Sequence, residues 1–173
     1  MKKHFSNFIV FVIAVGAIFW LGALNVRALV GNELFETKVL EWKNYLAPDF
    51  YSAYFRIIAM SSILTLISYT FVFVFTIIYL LYVKPDLKAN GWLMASLIFF
   101  FIFAPVEIYG SYFDFRFVYE YFFGKADYYY LQQLLTKRIT ALSGMPVIAI
   151  FCYYTIIGLI IWKPFQKKVI VKN

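Results

Sequence analysis

Charged residues are nearly absent from four long, mainly apolar stretches of the chain, 8–30, 57–83, 92–109 and 139–162. Each approaches or exceeds the ~20 apolar residues that carry a helix across a bilayer. The apolar character covers every face, as expected of a helix solvated by lipid or by other helices. In hydrocarbon every backbone N–H and C=O must be satisfied inside the segment, so these stretches are predicted to be helices. A membrane barrel would alternate apolar and polar residues in runs of about ten. The run Phe-Val-Phe-Val-Phe-Thr-Ile-Ile-Tyr-Leu-Leu-Tyr at 71–82 does not alternate.

Short turns join antiparallel neighbours, so the expected fold is all-α, a polytopic four-helix membrane bundle formed by a single integral membrane domain spanning 1–173. The segments between the first and second spans and between the third and fourth are long and lack linker composition. Apolar residues near helical spacing from Leu34 to Leu46, and from Phe113 to Phe123, predict short amphipathic helices lying on the membrane surface. The first span begins with Lys2 and Lys3, as a signal peptide would. Its apolar run exceeds the 7–15 residues of a signal core, which favours an uncleaved anchor.

Composition agrees with the pattern. The 173 residues are 64% hydrophobic and 14% charged. A soluble domain is about 45–50% apolar and about 25% charged, so a water-soluble globule is excluded. The net charge of +7 has an uneven distribution. Lys2, Lys3, Lys84, Lys88, Lys163, Lys167, Lys168 and Lys172 share one face with a single acid, Asp86, whereas the two long loops balance cations against acids. Lysine density near the helix ends places both termini in the cytoplasm of a bacterial-type inner membrane. The excess cations would then meet anionic lipid, so the basic character requires no nucleic acid. The abundant Phe, Tyr and Trp read chiefly as an interfacial belt.

The two halves echo one another. Arg-Ile-Ile-Ala-Met-Ser at 56–61 and Arg-Ile-Thr-Ala-Leu-Ser at 138–143 match at four of six positions. Lys84-Pro85 and Lys163-Pro164 each close a span. An internal repeat of two parallel helical hairpins is the corresponding expectation. It pairs Arg56 with Arg138 and Asn25 with Glu107.

The inventory for catalysis is thin. His4 is the single histidine and Cys152 the single cysteine, so a bis-histidine haem, a zinc centre and a dithiol are excluded. No metal and no cofactor is expected. What remains is a polar set at one rim of the bundle: Asn25 and Arg27 after the first span, Arg56 opening the second, Glu107 near the end of the third and Arg138 opening the fourth. Ionisable groups in a membrane segment are costly and tend to face the bundle interior in pairs. Glu107 is therefore expected to pair with Arg138 or Arg56, and these five residues form the candidate ligand site, with Glu107, Arg138 and Arg56 the catalytic candidates. Pro105 and Pro146 are expected to kink the outer halves of their helices. Gly16, Gly22 and Ala23, with Ala141, Ser143 and Gly144, allow the first and fourth spans to pack closely. The hydroxyls at 61, 62, 65, 68, 70 and 76 can bond to their own helix carbonyls and need not line a pore.

Four spans, Asn25 in Gly-Ala-Leu-Asn-Val-Arg at 22–27 and Arg138 in Leu-Leu-Thr-Lys-Arg-Ile-Thr at 134–140 together resemble the anthrone-oxygenase-like family of small membrane proteins. The resemblance implies the architecture and, in that family, chemistry on aromatic polyketides. Leu135 stands where the family pattern would place a histidine before the arginine. Two functional readings follow. One is a non-catalytic subunit or accessory factor of a larger membrane complex, or a binder of a lipophilic small molecule in the outer leaflet. The other is a cofactor-independent enzyme acting on an apolar aromatic substrate through the Glu/Arg cluster.

Overall fold

A computed structural model describes residues 2–36, 41–42, 48–124, 127–140 and 144–166. The elements run α1 (Lys2–Leu34), β1 (Phe35–Glu36), β2 (Glu41–Trp42), α2 (Pro48–Val83), α3 (Gly91–Phe122), α4 (Tyr128–Thr140) and α5 (Met145–Trp162). Helices α1, α2, α3 and α5 are long and apolar enough to cross a membrane. They form the expected all-α four-helix bundle of a multi-pass membrane protein. Large apolar side chains such as Phe11, Ile18, Ile102 and Phe151 are exposed around it, a surface that suits lipid and not water.

At 1.5 Å per residue, α1, α2 and α3 are about 48–54 Å long and α5 is about 27 Å long. Hydrocarbon about 30 Å thick accommodates α5 but not the other three. These project at the end of the bundle that carries α4, here called the far end. The near end carries the turn between α2 and α3. There Asp86 accepts the N–H groups of Lys88 and Ala89, and Lys163 lies over the Trp92 ring. Helices α2 and α5 end alike: Lys84 (φ 48°) and Lys163 (φ 45°) adopt the left-handed conformation and a proline follows each. That is the usual geometry of a helix stop, with lysine in place of the customary glycine.

The bundle contains two apolar cores. One lies among the spans, where Trp20 of α1 packs against Tyr69 of α2, Phe100 of α3 and Tyr153 of α5. The other lies at the far end, where Leu34, Phe35, Phe55, Ile58, Phe117, Leu131 and Leu134 converge. The β1–β2 ladder pairs Phe35 with Trp42, and the Trp42 indole donates to Thr136 Oγ1 at 3.1 Å. The ladder is thereby fastened to α4.

The far-end segments depart from expectation. Residues 113–122 are the last turns of α3 and not a separate surface helix. The helix continues because Phe117 on this stretch is buried against Phe55. Residues 35–36 and 41–42 form the ladder, where a surface helix is predicted, and Tyr45 and Leu46 lie outside the described residues. The amphipathic helix at this end is α4. Asp127 Oδ1 accepts the Tyr130 N–H at its start, and Lys137 and Arg138 sit in its last turn. Both favour a helix of this polarity. The fourth span begins at Met145, later than the predicted 139, after Gly144 takes φ +88°. Pro146 occupies the first turn of α5, where a missing N–H costs nothing, so it starts the helix and does not kink it. Pro105 does lie inside α3, two residues before Glu107.

The small residues also act differently. A methyl group on Gly16 would come within 2.9 Å of Val72 Cγ2. Gly16 thus brings α1 against α2, the neighbouring span, and not against α5. Ala141 and Ser143 lie outside the described residues. The α2 hydroxyls behave as expected: Ser61, Thr65, Ser68 and Thr70 donate to carbonyls of their own helix.

Candidate functional site

Glu107, Gly110 and Asp114 recur at helical spacing on one buried face of α3. Two apolar clusters flank this face, with Phe103 in the span core and Phe117 in the far-end core. Helix rise places Glu107 about 24 Å and Asp114 about 34 Å from the start of α3. The polar face therefore straddles the far edge of a hydrocarbon layer about 30 Å thick.

Asp114 is the centre of the cluster. Its carboxylate accepts a bidentate pair from Arg27, Nη1 to Oδ2 and Nη2 to Oδ1, both at 2.7 Å. It also accepts Nε of Arg138 at 2.9 Å. Three helices are joined at this one carboxylate: α1 through Arg27, α3 through Asp114 and α4 through Arg138. The side chains of Arg27 and Asp114 are 9% and 5% exposed. At such burial an ion pair persists only with good geometry and satisfied hydrogen bonds. Planar two-pronged donation supplies that geometry.

Gly110 provides the seat for Arg138. A methyl group there would lie 3.1 Å from Nη2 and 3.4 Å from Cζ. The guanidinium thus lies against bare α3 backbone, one turn from Glu107 and one from Asp114. Only its Nε is used by protein among the described residues, leaving the terminal nitrogens without an acceptor.

Glu107 is buried, and the Tyr153 hydroxyl donates to its Oε1 at 3.3 Å. It makes no ion pair within 4 Å among the described residues; the expected Glu107–Arg138 pair is replaced by Asp114–Arg138. The reason is register. Arg138 projects from the end of α4, which packs on the last turns of α3, and that places it level with Asp114. Below Glu107, Trp20 packs at a tilt against Tyr153 and Tyr69, with ring centroids 4.5 and 5.0 Å apart. Trp20 Nε1 and the Tyr69 hydroxyl are buried without a hydrogen-bond partner among the described residues.

A cavity of about 430 Å³ opens beside this cluster. Arg27, Glu107 and Arg138 line it together with apolar side chains from α1, α2, α4 and α5, among them Leu24, Ile58, Leu135 and Ile150. Gly31 borders it with open space where a side chain would be. Of the five candidate residues, three therefore share one cavity. Asn25 does not line it; its amide donates to the Tyr154 hydroxyl and the Leu21 carbonyl, linking α1 to α5. Arg56 is exposed and lines a different depression between α1 and α2. The pairing of Arg56 with Arg138 in sequence thus has no counterpart in the use of the two side chains. Asp114, absent from the candidates, carries a signal in its spacing of three and then four residues from Glu107 through Gly110. That signal is visible once α3 is continued past residue 109.

No group of His, Cys, Asp and Glu able to hold a metal ion exists among the described residues. The arrangement defines a class: a multi-pass membrane protein with a largely apolar cavity and a charged ceiling near one hydrocarbon boundary. No family model, no curated protein and no solved structure matches the chain.

Proposed function

We propose that this protein binds a lipophilic molecule with an acceptor-bearing polar head in the cavity between α1, α3, α4 and α5. The observation that carries the reading is the orientation of Arg138. Its Nε is committed to Asp114 while its terminal nitrogens have no acceptor, beside a cavity of about 430 Å³ walled by apolar side chains. Such volumes suit a small ligand with one end polar. A carbonyl, carboxylate or phosphate oxygen would satisfy the free donors, and the apolar remainder would face Leu24, Leu135 and Ile150. The lysine-rich near end is cytoplasmic on this proposal, which sets the cavity at the outer leaflet of a bacterial-type inner membrane. The shared Lys-Pro helix stops support descent from a parallel duplication whose arginines have since diverged in use. An accessory role in a larger complex is compatible with the aromatic side chains of Phe115, Tyr119 and Phe123, which are exposed at the far end.

The test is extraction of the detergent-purified protein with organic solvent and mass spectrometry of what elutes. A stoichiometric lipophilic compound is expected. Arg138→Gln should lose it by removing the donors, and Gly31→Leu should lose it by filling the cavity. Equal recovery from both folded variants would overturn the reading.

A second reading, the cofactor-independent enzyme, has one specific observation in its favour. The buried Glu107 carboxylate lines the same cavity and holds a hydrogen bond from Tyr153. A carboxylate so placed can act as a general base, with Arg138 stabilising developing negative charge. On this reading Glu107→Gln retains the bound compound and abolishes its conversion.

A further inference from the structure

On the opposite side of α1 from the cavity, a groove of about 470 Å³ lies between α1 and α2. Phe19, Gly22 and Val26 line it from α1, and Met60, Leu64 and Arg56 from α2. Its walls are apolar apart from Arg56 and Ser61. Arg56 is exposed and has no hydrogen-bond or ion-pair partner among the described residues. Helix rise sets Leu64 about 28 Å and Arg56 about 40 Å along α2 from Val83. Hydrocarbon is about 30 Å thick and the bilayer with head groups about 40–45 Å. With Val83 at the near hydrocarbon edge, the groove therefore starts at the far edge of the hydrocarbon, and the backbone of Arg56 lies about 10 Å beyond it, at the water-facing side of the head-group layer, from which a long arginine side chain reaches back to phosphate.

We infer that this groove holds one phospholipid of that leaflet, its acyl chain and glycerol seated against Gly22 and Met60 and its phosphate on Arg56. Three observations choose this occupant. A free guanidinium is a two-pronged donor matched to phosphate oxygens. The groove faces outward between two spans, where lipid is the solvent. Its depth matches the junction of chain and head group, so both parts are recognised in one site. A packed partner helix would instead leave Arg56 against apolar side chains, and a free phosphate would leave the apolar walls unused.

Gly22 makes the test clean, because a Cβ there meets no atom within 4 Å, so a side chain starts into the groove from open space. The full-length protein is delipidated in detergent, titrated with dioleoylphosphatidylglycerol and followed by native mass spectrometry. One lipid should bind ahead of the rest. Arg56→Gln should weaken that first step about fivefold, the change expected for one cation at a membrane surface. Gly22→Leu should remove it, and Gly31→Leu, which fills the other cavity, should leave it intact. Arg56→Lys should recover part of the loss, which separates charge from misfolding. The inference fails if neither Arg56→Gln nor Gly22→Leu alters the first step. It fails equally if only Gly22→Leu does, because the head would then be unrecognised. Displacement of the lipid by glycerol phosphate at the same concentration would show a free-anion site and also overturn it.

Discussion

The two cores are built from similar side chains but sit in different solvents. Around the span core, Trp20, Tyr69, Phe100 and Tyr153 pack together while apolar side chains on the outside of the same helices face lipid. Lipid tails are as apolar as the side chains, so burial there gains packing and little hydrophobic free energy. The far-end core lies beyond the hydrocarbon depth, and Leu34 and Phe55 are wholly buried in it. Burying them removes apolar surface from water or head groups, at roughly 25 cal/mol per Å². The Asp114 cluster occupies the level where one regime changes to the other. It fixes the position of the far-end core on the spans, which neither solvent would do.

That placement predicts the largest effect. Asp114→Ala leaves two arginines buried without their shared carboxylate, and losing one partner of such a cluster costs about 3–5 kcal/mol. Thermal unfolding in detergent, followed by tryptophan fluorescence, should show a much lower midpoint. Replacing all three charges together, with Arg27→Met, Asp114→Leu and Arg138→Met, should recover most of the loss, because an apolar triad of similar volume carries no desolvation cost. A drop below about 1 kcal/mol for Asp114→Ala would mean that the cluster is wet and does not organise the far end.

The next largest effect compares the two cores directly. Phe55→Ala should cost about 3 kcal/mol or more, within the range for deleting a buried aromatic ring. Phe103→Ala in the span core should cost about 1–2 kcal/mol less, since lipid tails can partly refill the space. Equal losses for the two variants would remove the distinction in solvent and leave one continuous core.

The four spans were legible because lipid imposes a crude rule: a long run without charge. The far-end core was hidden because the same chain leaves that rule at about residue 110, where charged residues enter a helix that does not stop. Asp114, Arg116 and Glu120 resemble loop residues when α3 is ended at Tyr109, and the helix persists because Phe117 has a partner in Phe55. Tertiary packing of that kind is not written in local hydropathy. Glu107 is recognisable as a buried charge by its apolar setting; Arg27 and Arg138 stand at the same rim of the sequence as Arg56, which is exposed. The carboxylate that Arg27 and Arg138 share is not legible there, because pairing depends on how α4 docks on α3. The sequence echo of Arg56 and Arg138 does not extend to their surroundings for the same reason: the first lies on α2 beside the groove, and the second ends a docked helix.

A smaller effect sharpens the role of the seam between the cores. Gly110→Ala places a methyl group 3.1 Å from Arg138 Nη2. The guanidinium must move by a few tenths of an ångström, straining its bond to Asp114, at a cost of about 1 kcal/mol. Arg27 keeps its two-pronged contact, so the fold should hold. Recovery of the co-purifying compound should fall more than the melting midpoint, since the shifted nitrogens are those free to meet it. Parallel loss of both would assign Arg138 to structure alone.

The smallest effect has the opposite sign and tests how buried polar groups of α2 should be read. Ser62 is buried, yet its hydroxyl has no partner among the described residues, whereas Ser61, Thr65 and Ser68 each donate to a carbonyl of α2. An unmade hydrogen bond at a buried site is a cost that alanine removes. Ser62→Ala should therefore leave the unfolding midpoint unchanged or raise it by the equivalent of a few tenths of a kcal/mol. A clear fall would mean that the Ser62 hydroxyl has a partner in the membrane after all, and the polar layer around Asp114 would then extend across to α2.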